Sequence, residues 1–233
     1  MVEAEVDFDE TKFKDEKFDS DRCISLLKKF NSEPEIDCKC LTALLLEFVK
    51  IINEMSSALS VAFKDVTDKV ATLRGNYKLH PDWDVLLFPF IKKEVAAGIA
   101  VLNGENNKKN TKDPKYAKYE SSARTLLRMT WFLEFLKVFF GDLGKDQNRS
   151  ASDAAKLGYE KALGPHHSFM LRQVAKVAMV AAPGRKSFNS KLFPTHTPEK
   201  ICEILLAMEA ELVTATKTLW DFYNDNKLTE LPQ

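Results

Sequence analysis

Neither charge sign dominates this chain of 233 residues: 34 Lys and Arg are matched by 34 Asp and Glu. No overall field therefore draws it to nucleic acid or to a strongly anionic membrane, and any anion it holds must be held locally. Cysteine is scarce. Cys23, Cys38, Cys40 and Cys202 are too few and too unevenly placed for a disulfide framework, which makes reduced thiols and a cytoplasmic setting the expectation. Cys38 and Cys40 form a lone CxC without a second half, so a structural zinc is not expected. No apolar run approaches the roughly 18 residues of a membrane span. The first residues, MVEAEVDFDETKFKDEKFDSD, are acidic and have neither the basic start nor the apolar stretch of a secretory signal. Residues 1–17 read as an acidic flexible tail, and residues 18–233, in a chain that is 45% hydrophobic, as one domain with a large core.

Catalytic signatures are missing as well. The chain contains no GxSxG elbow, no HExxH and no GxGxxG after a strand. AAPGRKS, from Ala181 to Ser187, lacks the first glycine and the preceding strand of a phosphate loop and reads as a helix-ending turn. His166 and His167 are adjacent, and on a helix they would point about 100° apart, which makes them poor joint metal ligands. No catalytic residue, metal or cofactor is expected.

Helical periodicity fills the chain. No segment alternates with period two for long enough to make a strand, and no repeat recurs at a fixed period. Asp19 or Ser20 opens a first helix with Cys23, Ile24, Leu27 and Phe30 on its stripe. A long second helix is predicted from about Leu41 to the Arg74-Gly75 stop, carrying Leu44, Leu45, Phe48, Ile52, Met55 and Leu59. A third carries Leu86, Leu87, Phe90, Ile91 and Val95, and a fourth runs from about Tyr116 to Phe140, apolar on more than one face and so central. Ser150 or Ser152 opens a fifth, HSFMLRQVAKVAMVAA makes a sixth, RKSFNSKLF a short seventh, and Thr197-Pro198 starts the last.

Charges interrupt these apolar faces in pairs. Asp65 and Lys69 lie four apart in KDVTDKVATL, as do Arg124 and Arg128 in RTLLRMTWFLEFL, so each pair points one way. Spacing alone leaves two readings open. The pairs are either solvated surface charges worth a few tenths of a kcal/mol, or a convergent anion site. Each pair continues an apolar surface, because Trp131 and Phe135 follow the arginines at helical spacing and Leu, Val, Ile and Phe precede the aspartate.

These motifs, KDVTDKVATLRG, RTLLR leading into Trp131 and aromatics, and HSFMLR followed by AxxVA, resemble the glycolipid transfer protein superfamily from about Leu41 to Leu231, and most closely its ceramide-1-phosphate branch. The resemblance implies an all-α, two-layer sandwich of about eight helices. It implies a monomer that carries one sphingolipid between membranes without chemistry or cofactor, touching the membrane surface only transiently. Lys69, Arg124 and Arg128 would then hold the phosphate, and Asp65 and His167 the ceramide amide and hydroxyl. Sugar-binding members place Asn and a Trp platform where this chain has Lys69 and Arg124. Family members use a Trp two residues after the site histidine at the membrane, where this chain has Phe169. Charge counting points the same way: three cations against one carboxylate balance only when an anion of about −1.5 to −2 is present. Transfer of neutral glycosphingolipids, or a lipid sensor built on the same pocket, are the alternatives. The 16 phenylalanines suit a sleeve for lipid chains or a plain packed core, and composition does not separate the two.

Overall fold

The computed structural model describes residues 16–32, 35–55, 64–83, 85–104, 107 and 111–231. Among them the chain is all-α, with only two isolated bridges, Asp37 with Leu86 and Asn103 with Glu120, in extended geometry. The helices are α1 (Ser20–Ser32), α2 (Cys38–Met55), α3 (Lys64–Leu79), α4 (Leu87–Ala96), α5 (Ser122–Lys145), α6 (Ala151–Gly158), α7 (Phe169–Val180), α8 (Arg185–Leu192) and α9 (Pro198–Asp225). A π turn, Tyr159–Leu163, and a 3-10 turn, Gly164–His166, prolong α6.

Most starts follow local capping chemistry. Asp19 Oδ1 accepts from the backbone N–H groups of Asp21 and Arg22 at 2.9 and 3.0 Å. Ser150, Ser168 and Thr197 cap α6, α7 and α9 in the same way. Several boundaries depart from the sequence reading, among them the expected stop at Arg74-Gly75, which α3 passes to end at Leu79, and the expected end at Phe140, which α5 passes to reach Lys145. The single helix expected from Leu41 to Gly75 is two, α2 and α3, which pack against each other; Leu59 lies outside the described residues. The helix expected from Tyr116 begins at Ser122, with Ser121 extended as its cap.

A distant carboxylate explains that late start. Glu94 on α4 is fully buried and accepts from the backbone N–H groups of Ser122 and Ala123, both at 2.8 Å, and from the Ser121 and Tyr119 hydroxyls. The carboxylate meets the orphan donors and the positive end of α5 together. Burial raises the Glu94 pKa, and these hydrogen bonds pull it back down. Val95, expected on the buried stripe of α4, is correspondingly 43% exposed, because the helix turns Glu94 inward instead.

One continuous apolar cluster runs from Cys23 to Leu228 and includes Phe48, Phe132, Phe135, Phe139 and Phe188. No disulfide joins the four cysteines, all of which are buried. At the centre, α5 packs against α9, α6, α3 and α4. Its glycines permit the close approach of α9. A Cβ at Gly144 would sit 2.8 Å from Leu206 Cγ and 3.2 Å from the Leu206 backbone nitrogen, whereas one at Gly141 would meet only the carboxylate end of Glu209. Leu206 is anchored through its backbone, and Glu209 ends in a flexible group.

Gly144→Val is therefore expected to destabilise the fold by about 2–3 kcal/mol through overpacking. Gly141→Ala should stay within about 1 kcal/mol of the parent, since helix propensity offsets a movable clash. Urea unfolding of the two variants checks the difference.

Candidate functional site

Two helices and one irregular turn bring the charged residues to a common place. Asp65 and Lys69 stand one turn apart at the start of α3, and the Lys69 ammonium donates to the Asp65 carboxylate. The partners differ sharply in exposure: the Asp65 side chain is 72% exposed and that of Lys69 only 9%. The ammonium is thus held inside the structure while its counter-ion reaches solvent. On α5, Arg128 joins Met129, Trp131 and Phe132 in lining the cavity that Asp65 and Lys69 enter from α3. Its volume is about 450 Å³, within the range of small-molecule sites.

Arg124 lies one turn earlier and deeper. It is 3% exposed, its guanidinium donates to the Leu102 carbonyl at 3.3 Å, and it is not part of the cavity lining. Burial first, and the neighbouring Arg128 second, push its pKa down to about 10, against a smaller opposing pull from Glu120. It remains a cation at neutral pH, placed behind Arg128.

His167 sits on the turn before α7, an extended residue outside the helix, and lines the cavity. Its Nδ1 is 2.9 Å from the Tyr159 hydroxyl. Burial lowers its pKa; Asp65 raises it, and His166 and Lys69 lower it further. Those couplings bring Asp65, Lys69 and both histidines within electrostatic reach of each other, and the ring is neutral at pH 7. Four of the five headgroup residues expected from sequence, Asp65, Lys69, Arg128 and His167, therefore share one cavity, with Arg124 beneath it. Phe169, the expected membrane contact, is 70% exposed on the first turn of α7 and outside the cavity.

Three cavity residues whose rings carry a polar group, Trp131, Tyr159 and His166, were not singled out as site candidates from sequence. Trp131 follows Arg128 by three and so shares its face of α5, a signal that was visible. Tyr159 and His166 depend on the π turn and the 3-10 turn after α6, which carry no sequence signature. The His166 ring lies on the Trp131 indole with centroids 3.7 Å apart and planes 1° from parallel. Leu171, Val174 and Ala175 of α7 roof the cavity. Among the described residues no three His, Cys, Asp or Glu side chains gather as a metal site requires.

The family described as Glycolipid transfer protein (GLTP) matches residues 36–194, more than half of the chain. The chain belongs to the glycolipid transfer protein family. A ceramide-1-phosphate transfer protein of Danio rerio is 29% identical over 171 residues, covering 63% of this chain and 79% of the relative. Glycolipid transfer protein 1 of Arabidopsis thaliana is 25% identical over 168 residues, covering 71% of this chain and 75% of the relative. The crystal structure of human ceramide-1-phosphate transfer protein in complex with 2:0 ceramide-1-phosphate superposes with a TM-score of 0.74 at 18% identity, over 91% of this chain and 98% of that one. The fold of the glycolipid transfer proteins is the all-α, two-layer fold expected from the sequence.

The Tyr159 hydroxyl and His167 Nδ1 share one hydrogen bond, and with the hydroxyl as donor the ring proton sits on Nε2. Imidazole nitrogen NMR shifts of the parent should accordingly report a single tautomer. Tyr159→Phe should give a mixture.

Proposed function

We propose that this protein transfers sphingolipids between membranes without chemistry, and that its preferred cargo is ceramide-1-phosphate. One observation carries the reading. Lys69 is held almost out of water beside Arg128, with Arg124 buried behind them. Lys69 already pairs with Asp65, and the two arginines bring positive charge in excess of the one carboxylate in the cavity lining. A phosphomonoester of −1.5 to −2 charges is the group that compensates such a cluster, and arginine matches its oxygens in forked geometry. Asp65 and His167 then remain for the amide and hydroxyl of the ceramide. The names of the relatives support the same class of cargo.

Trp131 favours a second reading, because an indole in a cavity wall is a stacking platform for a sugar, and one relative is named a glycolipid transfer protein. In this chain His166 already covers one face of that indole, and a neutral sugar leaves the cations uncompensated. The phosphate reading is therefore the stronger of the two.

Membrane contact belongs to α7. Phe169, Met170, Val177 and Val180 are 68–76% exposed, and in the whole helix only Ala178 and Met179 are buried. Contiguous exposed apolar surface of this kind marks an interaction site. Arg172 and Lys176 on the same helix suit lipid phosphates at an interface. No helix among the described residues is long and apolar enough to cross a membrane, so α7 lies on the bilayer while its Leu171 and Val174 face the cavity. The helix roofing the site is the one that meets the membrane.

Lys69→Ala and Arg128→Leu are each expected to slow vesicle-to-vesicle transfer of ceramide-1-phosphate at least about tenfold, the loss of one charge-assisted contact, with an unchanged helical CD spectrum. Undiminished transfer by both variants overturns the headgroup assignment, and galactosylceramide carried as fast as the phosphate lipid favours the second reading. For the membrane contact, Phe169→Ala combined with Val177→Ser should weaken sedimentation with vesicles and slow transfer, while leaving binding of a short-acyl ceramide-1-phosphate in solution intact.

A further inference from the structure

We propose that His166, laid flat on the Trp131 indole in the cavity wall, is a second histidine contact for the anionic headgroup and takes up a proton when that headgroup arrives. The proposal rests on the phosphate reading of the cavity and adds to it a residue and a pH dependence.

Geometry places the ring where it can act. His166 lines the same cavity as Lys69, Arg128 and His167, on the 3-10 turn that follows the π turn. Its plane is fixed by the indole at 3.7 Å and 1°, so its edges, where the nitrogens lie, are the parts left to meet a ligand. The indole also gives a charged form somewhere to rest, since a cation over the face of Trp is favoured.

The surroundings decide the sign. The charged and titratable groups around the cavity are Asp65 and Lys69 on α3, Arg128 on α5, Tyr159 and His167 on the same irregular turn, and Arg172 on α7, which acts on Tyr159. Asp65 is engaged with Lys69. Burial alone lowers the His166 pKa below its usual 6.5. In the empty cavity the ring is therefore neutral at pH 7. An anion of two charges within about 4–6 Å favours the protonated form by roughly 1–3 pK units, opposing the burial that lowers the His166 pKa. The complex then binds more protons than the free protein, so affinity for the phosphate lipid rises as pH falls toward 6. The phosphate's own second ionisation works in the opposite direction, because a cationic site strips its proton.

Calorimetry separates the two contributions. A short-acyl ceramide-1-phosphate is titrated into the parent and into His166→Phe, which keeps a ring on Trp131 but cannot titrate, using two buffers of different ionisation enthalpy near pH 7. The parent should take up roughly half a proton more per lipid than the variant. The variant's affinity should fall several-fold at pH 6 and approach the parent's at pH 8. Equal proton counts in the two proteins, with binding still lost in Lys69→Ala, overturn the role of His166 and leave the phosphate reading standing. Binding that Lys69→Ala does not diminish, or no binding at all, overturns both.

Discussion

Positive charge kept out of water constrains everything around it. Lys69 and Arg124 are each less than a tenth exposed, and Arg128 completes a group in which only Asp65 is opposite in sign among the cavity's lining residues. Desolvating such charges costs several kcal/mol per ion, so the surrounding fold must hold them firmly enough to prevent the side chains from swinging out. It does so through two rigid helices. α3 presents Lys69 from its second turn, and α5, buried along most of its length, carries both arginines. The N-terminus of α5 is fastened by the Glu94 carboxyl group through the two residues directly before Arg124. A buried anion on α4 thus anchors the element that carries the buried cations, without neutralising them directly.

That anchoring separates what periodicity reveals from what it conceals. The apolar stripes of α2, α5 and α9 repeat at helical spacing, and Asp19, Ser150 and Thr197 announce their helices, because these signals are local. Asp65 with Lys69, and Arg124 with Arg128, were legible as pairs for the same reason. Their convergence was not, since it depends on α3 packing beside α5. Glu94 looked like one more polar residue next to an apolar Val95, and its inward turn follows from donors almost thirty residues away in sequence. Tyr159 and His166 reach the cavity only because a π turn and a 3-10 turn redirect the chain after α6. Irregular backbone of that kind, common at functional sites, has no period to read.

The depth of Arg124 refines the picture of a cationic rim. In sequence the two arginines look equivalent, one turn apart on one face. In space Arg128 borders the cavity and Arg124 lies behind it, its guanidinium on the Leu102 carbonyl. A buried charge one turn away adds a field that water screens little. On the phosphate reading, Arg124 would support anion binding without bordering the cavity, and its lowered but still basic pKa of about 10 keeps that field present at any physiological pH.

The apolar half of the site obeys a different constraint. Phe132 borders the cavity, and Phe135 and Phe139 on the same helix are packed and inaccessible, so on the proposed function the cavity takes the headgroup and the lipid chains must part packed side chains. An amphiphile with two long chains would face a cost on the order of 20 kcal/mol to cross water bare, at about 0.8 kcal/mol per CH₂. Parting a packed core forfeits contacts too, but the lipid restores apolar contact as it enters, whereas water would not. The wall that can move with least loss is α7, which buries only Ala178 and Met179 and shows its remaining apolar residues to solvent. On a bilayer those residues gain an apolar surround, which lowers the cost of shifting the helix at the very place where lipid is available. In water the same surface has no such partner, and the closed packing is favoured. On the proposed function, the exposed apolar face of α7 and the closed core behind it would be two sides of one device: a site that opens only where there is cargo to fill it.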